Sequence, residues 1–185
     1  MIYLSPGRKV ALMLHDWGCA FGYEFYTRHP ELVSRIVGVD IGDSKGLARS
    51  WSVREKFLVM AYQVWLAIAW KIGGPLGDWM TLKMARWIGW PADGRYVSSC
   101  MTYPYYLAWF GGDQTYRRHL HRFKPACPIL FIYGKRKYFM FHTQAWVDDL
   151  LTRKGNQVVE FDTGHWVMLK DPKRFNQVVG DWLST

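Results

Sequence analysis

The sequence predicts an α/β fold in which a mostly parallel sheet is flanked by helices and interrupted by an inserted helical segment. Three observations carry that expectation. Residues 9–14, 34–39, 128–133 and 157–161 are short apolar runs, the pattern of strands buried in a sheet. Helical stretches alternate with these runs, as parallel pairing requires. Between residues 44 and 124 the alternation stops. There, aromatic-rich helical stretches are broken by Gly73-Gly74-Pro75, Trp90-Pro91, Asp93-Gly94, Tyr103-Pro104 and Gly111-Gly112.

Taken in order, the turn signal Pro6-Gly7 precedes KVALML at 9–14, which runs directly into His15-Asp16-Trp17-Gly18. From Gly18 the pattern is helical to about His29, where Pro30 stops it, and SRIVGV at 34–39 forms a second strand ending at Asp40. Strand, helix and strand make one parallel crossover unit. After the insertion come PILFIY at 128–133, a helix near 142–153, QVVEF at 157–161 and a last helix. In that helix Phe175, Val178, Val179 and Trp182 share one apolar face. The expected organisation is therefore residues 1–43 as core sheet with the Asp16 turn, 44–124 as a helical cap, and 125–185 as core sheet with a loop bearing His165. No internal repeat or low-complexity tract interrupts it.

A chain of 185 residues that is 50% hydrophobic can bury a substantial core, which excludes disordered and collagen-like classes. Its 24 Lys+Arg against 15 Asp+Glu give a formal charge of +9, but the basic residues are spread from Arg8 to Arg174. That spread reads as a solvated basic surface, and nucleic acid is not an expected partner. Arg117-Arg118-His119-Leu120-His121-Arg122 reads as a solvated helix end. Cys19, Cys100 and Cys127 have no CxxC spacing, so neither a metal site nor a disulfide framework is expected, and a reducing, cytoplasmic location is the default. The segment MIYLSPGRKV lacks the apolar core of a secretion signal, and the chain is expected to be unprocessed.

Residues 57–70 contain one strongly polar side chain, Gln63, but fall short of the roughly twenty residues a spanning helix needs. A buried or interfacial helix is expected. Trp65 and Trp70 beside Lys56 and Lys71 suit peripheral contact with a membrane surface, and equally a lid over an apolar pocket.

The chemistry gathers at two turns. Asp16 stands between a strand and a helix, the placement of a nucleophile elbow, with the N–H of Trp17 directed where an oxyanion would develop. Asp is also a favoured helix cap, and capping alone would account for it. At the other end, Asp162-Thr163-Gly164-His165-Trp166 follows a strand, and a histidine there is placed to activate water. A third group must orient that imidazole; Asp40 and Asp43, at the end of the second strand, both qualify.

The segments LHDWGCAFGYEFYTRHPELVSRIVGVD, PILFIYG and GHWVMLKDPKRFNQVVGDWL resemble the α/β-hydrolase fold family, in its branch of epoxide hydrolases and haloalkane dehalogenases. The resemblance implies an aspartate nucleophile at Asp16 and a general base at His165, with no cofactor. Many members carry the acid a few residues past the strand matching PILFIYG, where this chain reads Gly134-Lys135-Arg136-Lys137. Some dehalogenases take it from the strand after the elbow helix, and Asp40 lies 24 residues beyond Asp16. Asp40 is therefore the expected acid, Asp43 the reserve, and Asp162 structural. Two cap tyrosines hold the leaving oxygen in epoxide hydrolases, and position selects Tyr62 and Tyr106 ahead of Tyr103 and Tyr105. His119, His121 and His142 are expected to be surface or packing residues.

Relative to complete members the resemblance begins late, without the first strands or the His-Gly oxyanion loop. The chain thus corresponds to the C-terminal part of the fold, with strand 9–14 as an edge open to self-association. Leu14 opens the elbow where a small residue is usual, and crowding of the turn is expected. The expected activity is hydrolysis of a hydrophobic small molecule through an aspartyl ester. The alternatives are a haloalkane dehalogenase, or an inactive remnant serving as a binding module.

Overall fold

A computed structural model describes residues 7–42, 51–90, 93–112 and 123–185. The chain divides into two compact units, Met1–Ser50 with His121–Thr185, and Trp51–Leu120. The first unit holds a four-stranded sheet of β1 (Val10–His15), β2 (Val33–Val39), β3 (Ile129–Gly134) and β4 (Gln157–Phe161), in that spatial order. Every pairing is parallel. The crossovers are made by α1 (Trp17–Arg28) between β1 and β2, and by α5 (Gln144–Leu151) between β3 and β4. After β4 come the short α6 (Val167–Lys170) and α7 (Pro172–Leu183).

Side-chain alternation along the central strands sorts the core into two layers. Ile36, Ile129 and Phe131 face Cys19, Tyr23 and Tyr26 of α1 and Trp146 and Leu150 of α5. Val37, Val39, Leu130 and Ile132 face Val167, Phe175, Val179 and Trp182. The apolar face expected of the last helix is thus the one that α7 buries, apart from the half-buried Val178. β2 and β3 are buried almost throughout, whereas β1 alternates, with Met13 exposed. Among the described strands β1 stands at one end of the order, paired with β2 alone. Two strands run one residue further than their apolar patterns, to His15 and Gly134, because backbone pairing continues where apolar character stops.

The second unit is helical: α2 (Val53–Ile72), α3 (Gly74–Trp87) and α4 (Tyr103–Phe110), with short 3-10 turns between α3 and α4. A reciprocal capping box starts α2, Ser52 accepting from the Glu55 N–H while Glu55 accepts from the Ser52 N–H. The Trp65 indole donates to the Met80 carbonyl at 3.0 Å and ties α2 to α3. Asp78 accepts from Ser98 and twice from Ser99, anchoring the segment that leads to α4. Among the described residues no helix is long and apolar enough to cross a membrane.

Candidate active site

The site grows from strand ends. β1 stops at His15 and α1 starts at Trp17, so the chain must reverse at Asp16, which takes φ 51° and ψ −125°. Such a conformation is strained for a residue with a side chain and recurs at functional turns. The Asp16 carbonyl accepts from the Cys19 N–H at 2.9 Å, which begins the helix. Its carboxylate makes no capping bond, so the capping account of Asp16 fails. Instead Oδ2 lies 3.8 Å from Nε2 of His165, an ion-pair distance. The expected crowding by Leu14 is absorbed one turn into α1: a Cβ at Gly22 would lie 2.4 Å from both Leu14 methyls. Trp17 opens the helix directly after Asp16, its ring stacked on Phe21 at 6.0 Å.

Asp40 follows β2 in a second left-handed conformation, φ 73°, and is fully buried. Its N–H donates to the Ile132 carbonyl at 2.7 Å, which fixes the residue against β3. The carboxylate is shared. Oδ2 lies 2.5 Å from Nδ1 of His165, while Oδ1 accepts from the Gly134 N–H at 3.2 Å and from Lys137 Nζ at 2.5 Å. Burial opposes ionisation of Asp40, but His165 and Lys137 outweigh it and bring its pKa below the usual range.

His165 sits on the loop after β4. The Arg136 N–H donates to the Thr163 carbonyl at 2.8 Å, and a Cβ at Gly134 would lie 2.1 Å from the Gly164 oxygen, so this loop needs a glycine beneath it. His15 Nε2 donates to the His165 carbonyl at 3.2 Å. Burial pulls the His165 imidazole down, yet the carboxylates of Asp16 and Asp40 push it up to about 9. Burial and the neighbouring His165 lower His15 in turn.

Asp16, Asp40 and His165 are thereby brought together, and the two ring nitrogens of His165 face the two carboxylates. Asp162 pairs with Arg136, consistent with a structural part. Asp43, His119 and His121 lie outside the described residues. Tyr62 on α2 and Tyr106 on α4 belong to the second unit. The Tyr62 hydroxyl accepts from Gln63 Nε2 at 3.2 Å, and the Tyr106 ring lies 4.2 Å from Trp70. Tyr105 and Tyr103 pack against Tyr62 and Trp70 respectively. Among the described residues, no group of three or more His, Cys, Asp or Glu side chains could hold a metal.

One buried residue, Lys137, exceeds the expectation, and a second, His142, meets it. Lys137 does not take the acid's place but binds the acid itself, with its side chain 7% exposed. A lysine where a carboxylate is usual marks the position as a departure, but nothing beside it in the sequence marks the side chain as buried or as the partner of Asp40. His142 is a packing residue, wedged between Phe131 and Tyr133 at ring distances of 5.1 and 4.4 Å. Burial and the charge of Lys137 push it down to about 4.

Solved structures of similar fold include an epoxide hydrolase, a haloalkane dehalogenase and an esterase. A variant of an epoxide hydrolase from Bacillus megaterium, complexed with its product, superposes with a TM-score of 0.67 at 16% identity, over 100% of this chain and 72% of that one. A haloalkane dehalogenase from Agrobacterium tumefaciens C58 gives 0.59 at 16% identity, over 96% and 67%. A thermophilic esterase from Thermogutta terrifontis gives 0.59 at 14% identity, over 98% and 67%. Among curated protein sequences none matches. The sequence profile of the alpha/beta hydrolase family matches residues 2–178, nearly the whole chain. The chain belongs to the alpha/beta hydrolase family.

Proposed function

We propose that this alpha/beta hydrolase opens epoxides of hydrophobic small molecules through an ester on Asp16. The observation that carries the reading is the single imidazole held between two carboxylates, one on a strained elbow and one buried. A carboxylate is already ionised at neutral pH and can attack saturated carbon without a base. In the first step an Asp16 oxygen forms a bond to an epoxide carbon while the ring C–O bond breaks. The developing alkoxide takes a proton, the part assigned to Tyr62 and Tyr106. In the second step His165 removes a proton from water, and the resulting hydroxide attacks the ester carbonyl. The Trp17 N–H faces the oxyanion. Collapse breaks the ester C–O bond, His165 returns its proton to the departing diol oxygen, and the proton of the new Asp16 carboxylic acid passes to His165, which restores the carboxylate and the imidazolium.

Electrostatics order these steps. With both carboxylates ionised, His165 at about 9 is an imidazolium at neutral pH. Alkylation removes the Asp16 charge, so the imidazole loses one of the two anions that hold its proton. Its proton then passes to the group that protonated the alkoxide, and the neutral imidazole is a base when the ester needs water.

Single-turnover reaction with an aromatic epoxide in H₂¹⁸O, followed by mass spectrometry of the Asp16 peptide, tests the scheme. Label is expected in Asp16, and the alkyl ester is expected to accumulate in His165→Gln. Labelling that survives Asp16→Ala would sink it. The bond from Asp40 at the end of β2 favours a second reading, a haloalkane dehalogenase using the same ester. Turnover of haloalkanes with epoxides left intact would select that reading. A folded chain that takes label from neither substrate would be a binding module.

A further inference from the structure

We propose that Lys137 is a positioning residue for the His165–Asp40 pair: its buried ammonium clamps one oxygen of Asp40 so that the other stays on the imidazole, and its charge limits how strongly Asp40 holds the imidazole's proton. The inference rests on the reading of His165 as general base. Three groups share the Asp40 carboxylate. The Gly134 N–H and Lys137 Nζ hold Oδ1 at 3.2 and 2.5 Å, and Nδ1 of His165 holds Oδ2 at 2.5 Å. With one oxygen fixed by a short charged bond, the plane of the carboxylate is fixed as well. The imidazole then has a single direction in which to present Nε2 to Asp16 or to water.

The loop supporting Lys137 is itself strapped. The Lys135 N–H donates to the Phe161 carbonyl at 3.0 Å and the Arg136 N–H to the Thr163 carbonyl at 2.8 Å, so backbone hydrogen bonds join the loops that carry Lys137 and His165. The Lys137 ammonium also lies 5.5 Å from the Phe141 ring, which leaves little water around it. Exposed lysines gain little from such pairs; burial strengthens the attraction of Lys137 to Asp40, although it also lowers the pKa of the ammonium.

Among the described residues, three titratable groups face His165 directly. Asp16 approaches from the elbow, Asp40 from the end of β2, and His15 from β1 at a ring distance of 4.5 Å. Lys137 acts through Asp40, and His142 senses both Lys137 and Asp40. With Lys137 charged, the two carboxylates are balanced by two cations. Without it, one negative charge is left uncompensated, and that charge holds the imidazole's proton more firmly.

The test is an NMR titration of the His165 ring in the whole chain, assigned by its loss in His165→Gln. Lys137→Met is expected to raise the His165 midpoint by about one pH unit, the effect of losing one nearby charge. Lys137→Arg, which restores both donor and charge, is expected to return it. The acid limb of ester hydrolysis should move with the midpoint while epoxide attack by Asp16 changes little. Lys137→Gln removes the charge but keeps a donor, and serves if the methionine variant does not fold. A midpoint unchanged in both neutral variants overturns the proposal, because a merely structural lysine would alter stability alone. The titration needs no turnover. Absence of label on Asp16 together with a shifted midpoint would defeat the ester mechanism and leave the role of Lys137 standing.

Discussion

Asp40 has two charged partners, and neutralising it exposes both dependencies. Asp40→Asn keeps the shape but leaves the Lys137 ammonium buried without its counter-ion. Breaking a buried pair from one side costs about 3–5 kcal/mol, so a clear fall in Tm is expected. Catalytically, the imidazole loses the group that fixes its tautomer; the same change in a Ser-His-Asp triad lowers kcat on the order of 10⁴. The loss should fall on ester hydrolysis, so rapid-quench kinetics should show Asp16 ester accumulating in Asp40→Asn. Asp43→Asn should hydrolyse the ester at close to the normal rate, and the reverse order would move the acid to Asp43. Asp16, His165 and Asp40 are legible in sequence because each stands where an apolar run ends, a local signal. Lys137 is not, since its partner lies 97 residues away and nothing local tells a buried lysine from a surface one. The same limit applies to His142, whose burial depends on strand packing rather than on its neighbours in the chain.

At the scale of elements, the elbow and α1 are held together by one complementary pair. Leu14 projects a branched side chain where the turn is tight, and Gly22 leaves the space it fills. Gly22→Ala alone is expected to destabilise by roughly 1–3 kcal/mol through overpacking, and to disturb Asp16 by pushing back on β1. In Leu14→Ala the same substitution meets no methyl groups, so the double variant should recover much of the Gly22→Ala penalty. A thermodynamic cycle from urea unfolding measures that coupling, and strictly additive losses would refute the pairing. The four strands and their helices are readable because alternation and length separate strand from helix over six or seven residues. Strand ends are less readable: His15 and Gly134 are drawn into the sheet by backbone pairing that polarity does not report. In the helical unit composition gives helices but not their partners. Gln63, the one strongly polar residue of an apolar stretch, owes its place to the Trp109 indole 2.9 Å away and to the Tyr62 hydroxyl.

For the molecule as a whole, two histidines with opposite displacements should give stability a maximum near neutral pH. His142 is driven down to about 4 by burial and by Lys137, against an ordinary value of 6.5. Between those limits the unfolded chain binds the proton and the folded chain does not, so stability falls as pH drops from about 6.5 towards 4. His15, also lowered, adds to this limb, and Asp40 extends it below the usual carboxylate range. His165 is raised to about 9 by its two carboxylates. Its contribution is fully present below about 6.5 and is lost as pH rises through 9. Displacements of this size correspond to about 3 kcal/mol on each side. Urea midpoints followed by circular dichroism from pH 4 to 10 should therefore peak near 6.5 to 7. His165→Gln should flatten the alkaline side and, because His165 also lowers Asp40 and His15, remove part of the acid side, while the part due to His142 stays. His142→Phe should flatten part of the acid side, and at pH 7 it should cost nothing or stabilise, since Nδ1 of His142 is buried with no hydrogen-bond partner among the described residues. An alkaline limb that persists in His165→Gln would mean that the two carboxylates do not hold its proton in the folded chain. The charge pairing on which the ordering of the two half-reactions depends would fall with it.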